Sequence, residues 1–129
     1  MNCKLVKTQA EFNEAIKTGY CADVTEGEFV AAGSATVRAW GSATVRAFDS
    51  ATVHARDSAT VHALGSASVH ARDSATVHAL GSATVHARDL ATVHAFDSAT
   101  VRASTYVAVT IAATFKGQIS GGRQIRIRR

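Results

Sequence analysis

Residues 50–65 read SATVHARDSATVHALG, in which one eight-residue phrase occurs twice with different endings. The phrase recurs without insertion through residues 34–105, and only Ser68 and Leu90 break its Ser-Ala-Thr-Val opening. Repetition at a fixed short period is typical of solenoids, in which each repeat packs on its neighbours to build a continuous core. The repeat therefore decides the fold class.

Each copy alternates small apolar and polar residues. Its second, fourth and sixth residues are Ala, Val and Ala, whereas the third and fifth are Thr and then His or Arg. Period-two alternation predicts a strand with its Ala-Val-Ala side inward, and the closing Asp-Ser or Gly-Ser pair predicts a tight corner. The predicted core is a thin seam of Val37, Val45, Val53, Val61, Val69, Val77, Val85, Val93 and Val101.

The endings show that the true period is sixteen. At the seventh position one set of alternate copies has Trp40, Arg56, Arg72, Arg88 and Ser104, and the other has Phe48, Leu64, Leu80 and Phe96. Like residues stack on like if each coil contains two strands and successive coils lie about 4.8 Å apart. We therefore predict an all-β fold, a parallel β-solenoid with 16-residue two-strand coils, with about four and a half coils in the repeat region.

The open ends of a solenoid are exposed sheet edges, so caps are expected. Near the N-terminus, residues 3–6 form a candidate strand, and Thr8 to Glu11 form a capping box that begins a short helix ending near Gly19. Phe12, Ala15 and Ile16 share a helix face that is suited to cover the first coil.

At the C-terminus the inward residues become larger, and Gly121-Gly122 can turn the chain before residues 123–129. That segment is predicted to be a charged closing strand, and the alternative is a dedicated binding arm. The predicted organisation is one folded unit in three parts. Residues 1–33 are an N-terminal strand-helix-strand cap, 34–105 are the octapeptide-repeat β-solenoid, and 106–129 are a C-terminal cap and basic tail.

Composition and charge limit the function. The 129 residues are 47% apolar but only 6% aromatic, which predicts a narrow core and disfavours a broad, aromatic-lined active-site cleft. Three lysines and five acidic residues give residues 1–33 a net charge of −2, whereas the five cations of residues 106–129 give +5. The basic excess is therefore a property of the tail.

The N-terminal sequence lacks the apolar run of a signal peptide, and no stretch has the length of a membrane span. We expect a protein without a membrane partner. Cys3 and Cys21 have no metal-type spacing and are too few for a disulfide framework, so they are expected to be reduced, partly buried thiols.

The opening, a strand, a TQAEFNEAI helix and a short strand, followed by octapeptides such as SATVRAWG, resembles a group of small proteins encoded by phages, prophages and mobile elements. The resemblance covers about residues 1–104. It implies a β-solenoid that works in the host cell cytoplasm and brings no catalytic residues. It also implies an accessory protein that occupies or inhibits a host protein, for example a CRISPR defence component, which would make it an anti-CRISPR inhibitor.

The six histidines of the repeats are candidate metal ligands. His54, His70 and His86 are expected to stack on one sheet, and His62, His78 and His94 on the other. Neighbouring histidines in a stack are too far apart to bind one tetrahedral metal ion unless their side chains bend inward. A repeated Ser beside a repeated His is what copying an octapeptide produces, so it does not indicate a catalytic pair. We therefore expect no metal site, no catalytic residue and no cofactor, and hence no enzyme.

Two different surfaces remain. On the first sheet Arg56, Arg72 and Arg88 are expected to lie in a row. Three alternatives stay open for what balances their charge: the neighbouring Asp57, Asp73 and Asp89 on a solubilising face, an acidic protein surface, or a nucleic-acid backbone. On the second sheet Phe48, Leu64, Leu80 and Phe96 form an apolar stripe whose order is the same from either end. A stripe of this kind is self-complementary under a two-fold axis, which predicts an antiparallel homodimer; the alternative is a stripe covered by the protein's own tail.

The sequence thus favours a non-enzymatic protein-binding module. The predicted contacts with a host protein are Arg38, Trp40, Arg56, Arg72, Arg88, Arg102, Arg126, Arg128 and Arg129. Two alternatives stay open: a structural protein that self-assembles into a scaffold, and a nonspecific nucleic-acid binder.

Overall fold

A computed structural model describes residues 3–111 and 116–126. Its single described helix is α1, Gln9–Lys17. The strands are β1 Cys3–Leu5, β2 Cys21–Val24, β3 Glu28–Ala31, β4 Thr36–Ala39, β5 Thr44–Ala47, β6 Thr52–Ala55, β7 Thr60–Ala63, β8 Ser68–Ala71, β9 Thr76–Ala79, β10 Thr84–Ala87, β11 Thr92–Ala95, β12 Thr100–Ile111 and β13 Gln118–Arg126. Within the described ranges no helix has the length and apolar character needed to cross a bilayer.

The strands wind into a parallel β-solenoid of about seven turns, which confirms the predicted fold class. Strands of alternate copies pair in parallel with partners sixteen residues apart, as in Thr36 with Thr52 and Thr44 with Thr60. The first sheet contains β1, β2, β4, β6, β8, β10 and the beginning of β12, and the second sheet contains β3, β5, β7, β9, β11 and the end of β12. Each full coil of the repeat region therefore contributes one strand to each sheet.

The core lies between the two sheets and has the predicted composition. Every Ala-Val-Ala position from Val37 to Val93 is at most 2% exposed, and the intervening Thr and His or Arg side chains face outward. Alanines on both sides of each valine leave room for only one layer of methyl groups, so the two sheets lie close together.

Aspartates form the corners through both their backbone and their side chains. Asp49, Asp57, Asp73, Asp89 and Asp97 adopt the left-handed conformation, with φ between 52° and 58°. Each carboxylate also accepts a hydrogen bond from a corner N–H of the preceding coil, as Asp73 Oδ2 does from the Asp57 N–H at 3.2 Å. Aspartate tolerates this conformation better than most residues, and its carboxylate adds a hydrogen bond that glycine at the same corner cannot make.

The N-terminal cap has the predicted capping box. The Thr8 hydroxyl accepts from the Glu11 N–H, and the Glu11 carboxylate accepts from the Thr8 N–H. Phe12 is buried and lies 5.7 Å from Phe29 of β3, measured between ring centroids, so the helix packs on the first strand of the second sheet. This contact places the helix over the open end of the core.

The prediction of reduced thiols is wrong. Cys3 and Cys21 are register partners on the parallel strands β1 and β2, and they form a disulfide bond. Strand pairing brings their Cα atoms to 4.3 Å. The bond ties the first strand of the chain to the first coil of the solenoid, where hydrogen bonding to one neighbour alone leaves a strand weakly held.

At the other end, β12 and β13 each pass through both sheets. Thr100 pairs with Gln118 in the first sheet and Ile111 pairs with Arg126 in the second. Gly121, with φ of 76°, lies at the register shift between these two parts of β13, so the predicted turn at Gly121-Gly122 is a bend inside a closing strand. Residues 127–129 of the predicted closing strand lie outside the described residues.

Candidate partner-binding surface

The outer side of the first sheet carries a shallow basic groove, which we call the Arg/His face. It has a volume of about 500 Å³ and runs across successive coils as far as the closing strand. Its charged and polar lining consists of His54, Arg56, His70, Arg72, His86, Arg88, Arg102, Ser104 and Ser120. Among the described residues no carboxylate lines the groove, so it is a surface of one charge sign.

The register of the coils produces the groove. Residues His54, His70 and His86 are sixteen apart, and their strands pair in parallel without a bulge. The ring centroids of neighbouring histidines are 4.9 and 5.0 Å apart, with interplanar angles of 10° and 9°. The arginines two residues further along the chain therefore repeat at the same coil spacing, as a row beside the histidine row.

Burial and neighbouring positive charges favour the neutral form of two histidines of the face, His54 and His70. Desolvation, and after it the charges of Arg56, Arg38 and Arg72, lowers the pKa of His54 below its ordinary value. The pKa of His70 is lowered by desolvation and then by the two flanking histidines. The permanent positive charge of the face comes from its arginines.

The corner aspartates Asp57, Asp73 and Asp89, which the sequence offered as one possible set of partners, form no ion pair with the arginines. Among the residues whose side chains the structure describes, 3–104, 107–111 and 116–121, there is a single ion pair, between Arg38 and Asp23. The carboxylates of Asp57, Asp73 and Asp89 accept from backbone N–H groups of the preceding coil instead. Arg72 and Arg88 are exposed, so each presents a guanidinium group to the solvent with its hydrogen-bond donors free to bind an anion.

Trp40 and Arg38 close the N-terminal end of the face. The Arg38 Nε donates to Asp23 Oδ1 at 2.6 Å and its Nη2 donates to Asp23 Oδ2 at 2.8 Å. The guanidinium carbon of Arg56 lies 4.8 Å from the centroid of the Trp40 ring, and that of Arg38 lies 5.9 Å away. Trp40 therefore holds Arg56 by a cation–π contact, and Arg38 already forms an ion pair with Asp23.

The histidine geometry also bears on metal binding. Rings stacked face to face follow one another along the ladder and do not converge on a common point, as ligands of one ion must. In the part of the chain that the structure describes, no group of three or more His, Cys, Asp or Glu side chains is placed to hold a metal ion.

The second sheet carries the Phe/Leu stripe of Phe48, Leu64, Leu80 and Phe96. All four side chains are half-buried, so the stripe is less exposed than the sequence predicted. Beside it His62, His78 and His94 stack with centroid distances of 4.7 Å. Arg46, at the N-terminal end of this sheet, is exposed and was not among the predicted contacts.

The groove contains some of the residues that the sequence predicted as partner contacts. Arg56, Arg72, Arg88 and Arg102 all line the groove, whereas the side chain of Arg126 and all of Arg128 and Arg129 lie outside the described residues. Ser104 and Ser120 were missed. Ser104 replaces the arginine of the seventh position, and that substitution was the available signal of a wider site.

The protein is a capped parallel β-solenoid with a basic groove on one sheet and the partly buried Phe/Leu stripe on the other. No protein-family model matches the chain, and neither the curated proteins nor the solved structures yield a match.

Proposed function

We propose that the protein is a non-enzymatic binding module that docks an acidic surface of a partner protein on the Arg/His face. The observation that carries the proposal is a row of arginines without carboxylate partners among the described residues. Stacked like charges repel one another, and a structural role alone gives no reason to leave them unpaired. A partner that supplies carboxylates offsets this repulsion and forms charge-assisted hydrogen bonds.

The contacts that Trp40 already makes with two arginines favour a protein partner over nucleic acid. Sequence-independent binding of single strands uses open aromatic rings on which bases stack. Trp40 is the only Trp, Tyr or Phe in the repeat copies of the first sheet, and Arg56 and Arg38 already contact its ring. The face therefore offers positive charge without an open stacking platform.

The resemblance to octapeptide-repeat proteins of phages and mobile elements supplies the more specific form of the proposal. In that form the partner is a host protein, such as a CRISPR defence component, which the solenoid occupies and inhibits in the host cytoplasm. The disulfide bears on this location, because the cytosolic thiol pool reduces most disulfides. A cytoplasmic form would therefore work with a less firmly tied N-terminal cap.

The test is capture from a host extract by the immobilised protein, compared between two variants of equal charge. R56Q/R72Q/R88Q removes three cations from the Arg/His face, and the control K4Q/K7Q/K17Q removes three from the N-terminal cap. We expect one protein to be retained by the wild type and the control and lost by the first variant. Retention by all three, or recovery of nuclease-sensitive nucleic acid in place of a protein, contradicts the proposal.

The Phe/Leu stripe is proposed as the contact between two copies of the chain. Its palindromic order brings Phe48 of one copy over Phe96 of the other and Leu64 over Leu80, with both arginine faces outward. Light scattering should show a dimer at micromolar concentration and a monomer for L64D/L80D. A monomeric wild-type protein excludes this contact, and assembly beyond a dimer favours the scaffold alternative.

A further inference from the structure

The spacing of the Arg/His face limits which acidic structure fits it. Neighbouring histidine rings lie 4.9 and 5.0 Å apart along the solenoid axis, and the arginines stand on the same coils. The Cα atoms of three successive arginines, Arg56, Arg72 and Arg88, therefore span about 10 Å from first to last. Any partner that engages all three must present carboxylates at a similar pitch.

Two regular protein structures can be compared with this pitch. In an α-helix, residues at i, i+3 and i+7 lie on one face and rise by about 4.5 and 6 Å, a span of about 10.5 Å. In an extended strand, residues on one side recur every second position, about 6.6 Å apart, so three of them span about 13 Å. The helix matches the arginine row to within about 1 Å, and the strand overshoots it by about 3 Å.

The shape of the groove agrees with the pitch. The arginine row and the histidine row stand two residues apart on each strand, which separates them by about 6.6 Å. A helix with its side chains is about 10 to 12 Å wide, so it can lie along the solenoid axis and contact both rows. The exposed hydroxyl-bearing Ser120 lies at the C-terminal end of this path.

The geometry points to an α-helix of the partner, with Asp or Glu at i, i+3 and i+7, lying along the solenoid axis against Arg56, Arg72 and Arg88. This inference rests on the proposed function and names the element that the face recognises. Each guanidinium would form a charge-assisted, two-donor contact with one carboxylate, which is the geometry that arginine is best suited to make. Trp40 would hold Arg56 in place for the first of these contacts.

The experiment measures binding of labelled peptides to the intact protein by fluorescence anisotropy. The first probe is an alanine-rich helical peptide with Glu at i, i+3, i+7 and i+10, and the second contains the same residues with the Glu spread evenly around the helix. The third probe is an extended peptide with Glu at alternate positions, and the fourth is an oligo-dT of equal charge. We expect the first peptide to bind at least about tenfold more tightly than the other three.

The variants identify the contact. R56Q/R72Q/R88Q should lose the preference, R56K/R72K/R88K should weaken it while keeping the net charge, and K4Q/K7Q/K17Q should leave it unchanged. Equal binding of the two helical peptides, or tighter binding of the extended peptide or the oligonucleotide, overturns the inference. If no peptide binds but host-protein capture still requires the arginines, the helix is wrong and the docking function stands.

Discussion

Gln9 closes the free edge of the second sheet by pairing its side-chain amide with both backbone groups of Val30. The Val30 N–H donates to Gln9 Oε1 at 2.8 Å, and Gln9 Nε2 donates to the Val30 carbonyl at 3.1 Å. Gln9 Nε2 also donates to Asn13 Oδ1 at 2.9 Å, which fixes the orientation of the amide on the helix surface. The side chain thus makes the hydrogen bonds that the next strand of a growing sheet would make.

Replacing Gln9 should therefore promote self-association. Q9L keeps the approximate size of the side chain but removes both of its hydrogen bonds to Val30. We expect the free energy of unfolding to fall by about 1 kcal/mol. Because the exposed edge at Val30 can then pair with another copy of the chain, the sedimentation coefficient of Q9L should rise as the protein concentration rises. E14Q, on the exposed part of the same helix, is the matched control. Equal sedimentation of Q9L and E14Q at all concentrations contradicts this role.

Leu90 is the one corner position in the repeats where serine is replaced. Ser74, one coil earlier, donates from its hydroxyl to the Asp57 carbonyl at 3.0 Å, while Leu90 can offer only its backbone N–H to Asp73. Leu90 is also 69% exposed. L90S should add the missing bond and raise the free energy of unfolding by about 0.5 kcal/mol.

The reverse change, S74L, should cost a similar amount, and urea denaturation measures both. A decrease in stability on L90S would show that the leucine side chain makes a stabilising contact that outweighs the hydroxyl.

Reduction of the disulfide should weaken the N-terminal cap. Cys3 and Cys21 are 18 residues apart in sequence, and closing a loop of this size constrains the unfolded chain by about 3 kcal/mol. We expect dithiothreitol to lower the urea midpoint of the wild type and to leave C3S/C21S unchanged. Mass spectrometry after alkylation of the native protein checks the bond directly, because two alkylated thiols without reductant would contradict it.

Acidification should destabilise the fold. The pKa values of His54, His70 and His78 are lowered, mainly by desolvation, so between each folded pKa and the unfolded value near 6.5 the unfolded chain binds more protons. Stability is therefore fully present above the unfolded pKa and is lost as the pH falls below about 6.5. Urea midpoints at pH 7.5, 6.5 and 5.5 should decrease in that order, and H54Q/H70Q/H78Q should show a smaller decrease. A rise in the urea midpoint toward pH 5.5 would contradict the lowered pKa values of His54, His70 and His78.

The sequence predicted the architecture because each octapeptide carries the same local instructions. Alternation fixes which side of Thr52–Ala55 faces inward, and the differing endings fix two strands per coil, so nothing beyond the repeat was needed. The corner residues were also readable, since few residues besides Gly and Asp accept a positive φ.

The features outside the repeat could not be predicted in the same way. The Cys3–Cys21 bond depends on the register between β1 and β2, which no repeated phrase specifies. The Gln9–Val30 pairing joins a helix to a strand 21 residues away. The absence of an ion pair at Arg56 could not be predicted, because Asp57 stands next to Arg56 in the sequence. In the structure the Asp57 carboxylate accepts a hydrogen bond from a backbone N–H of the preceding coil instead.

The most direct test of the central claim is arginine-specific labelling with phenylglyoxal, read by mass spectrometry, of the free protein and of its complex with the captured host partner. The central claim is that the partner docks on the Arg/His face, and Arg46 on the opposite sheet is exposed and serves as an internal control. Docking predicts that Arg56, Arg72 and Arg88 react in the free protein and are protected in the complex, while Arg46 reacts equally in both. Protection of Arg46 with continued labelling of the other three would contradict it.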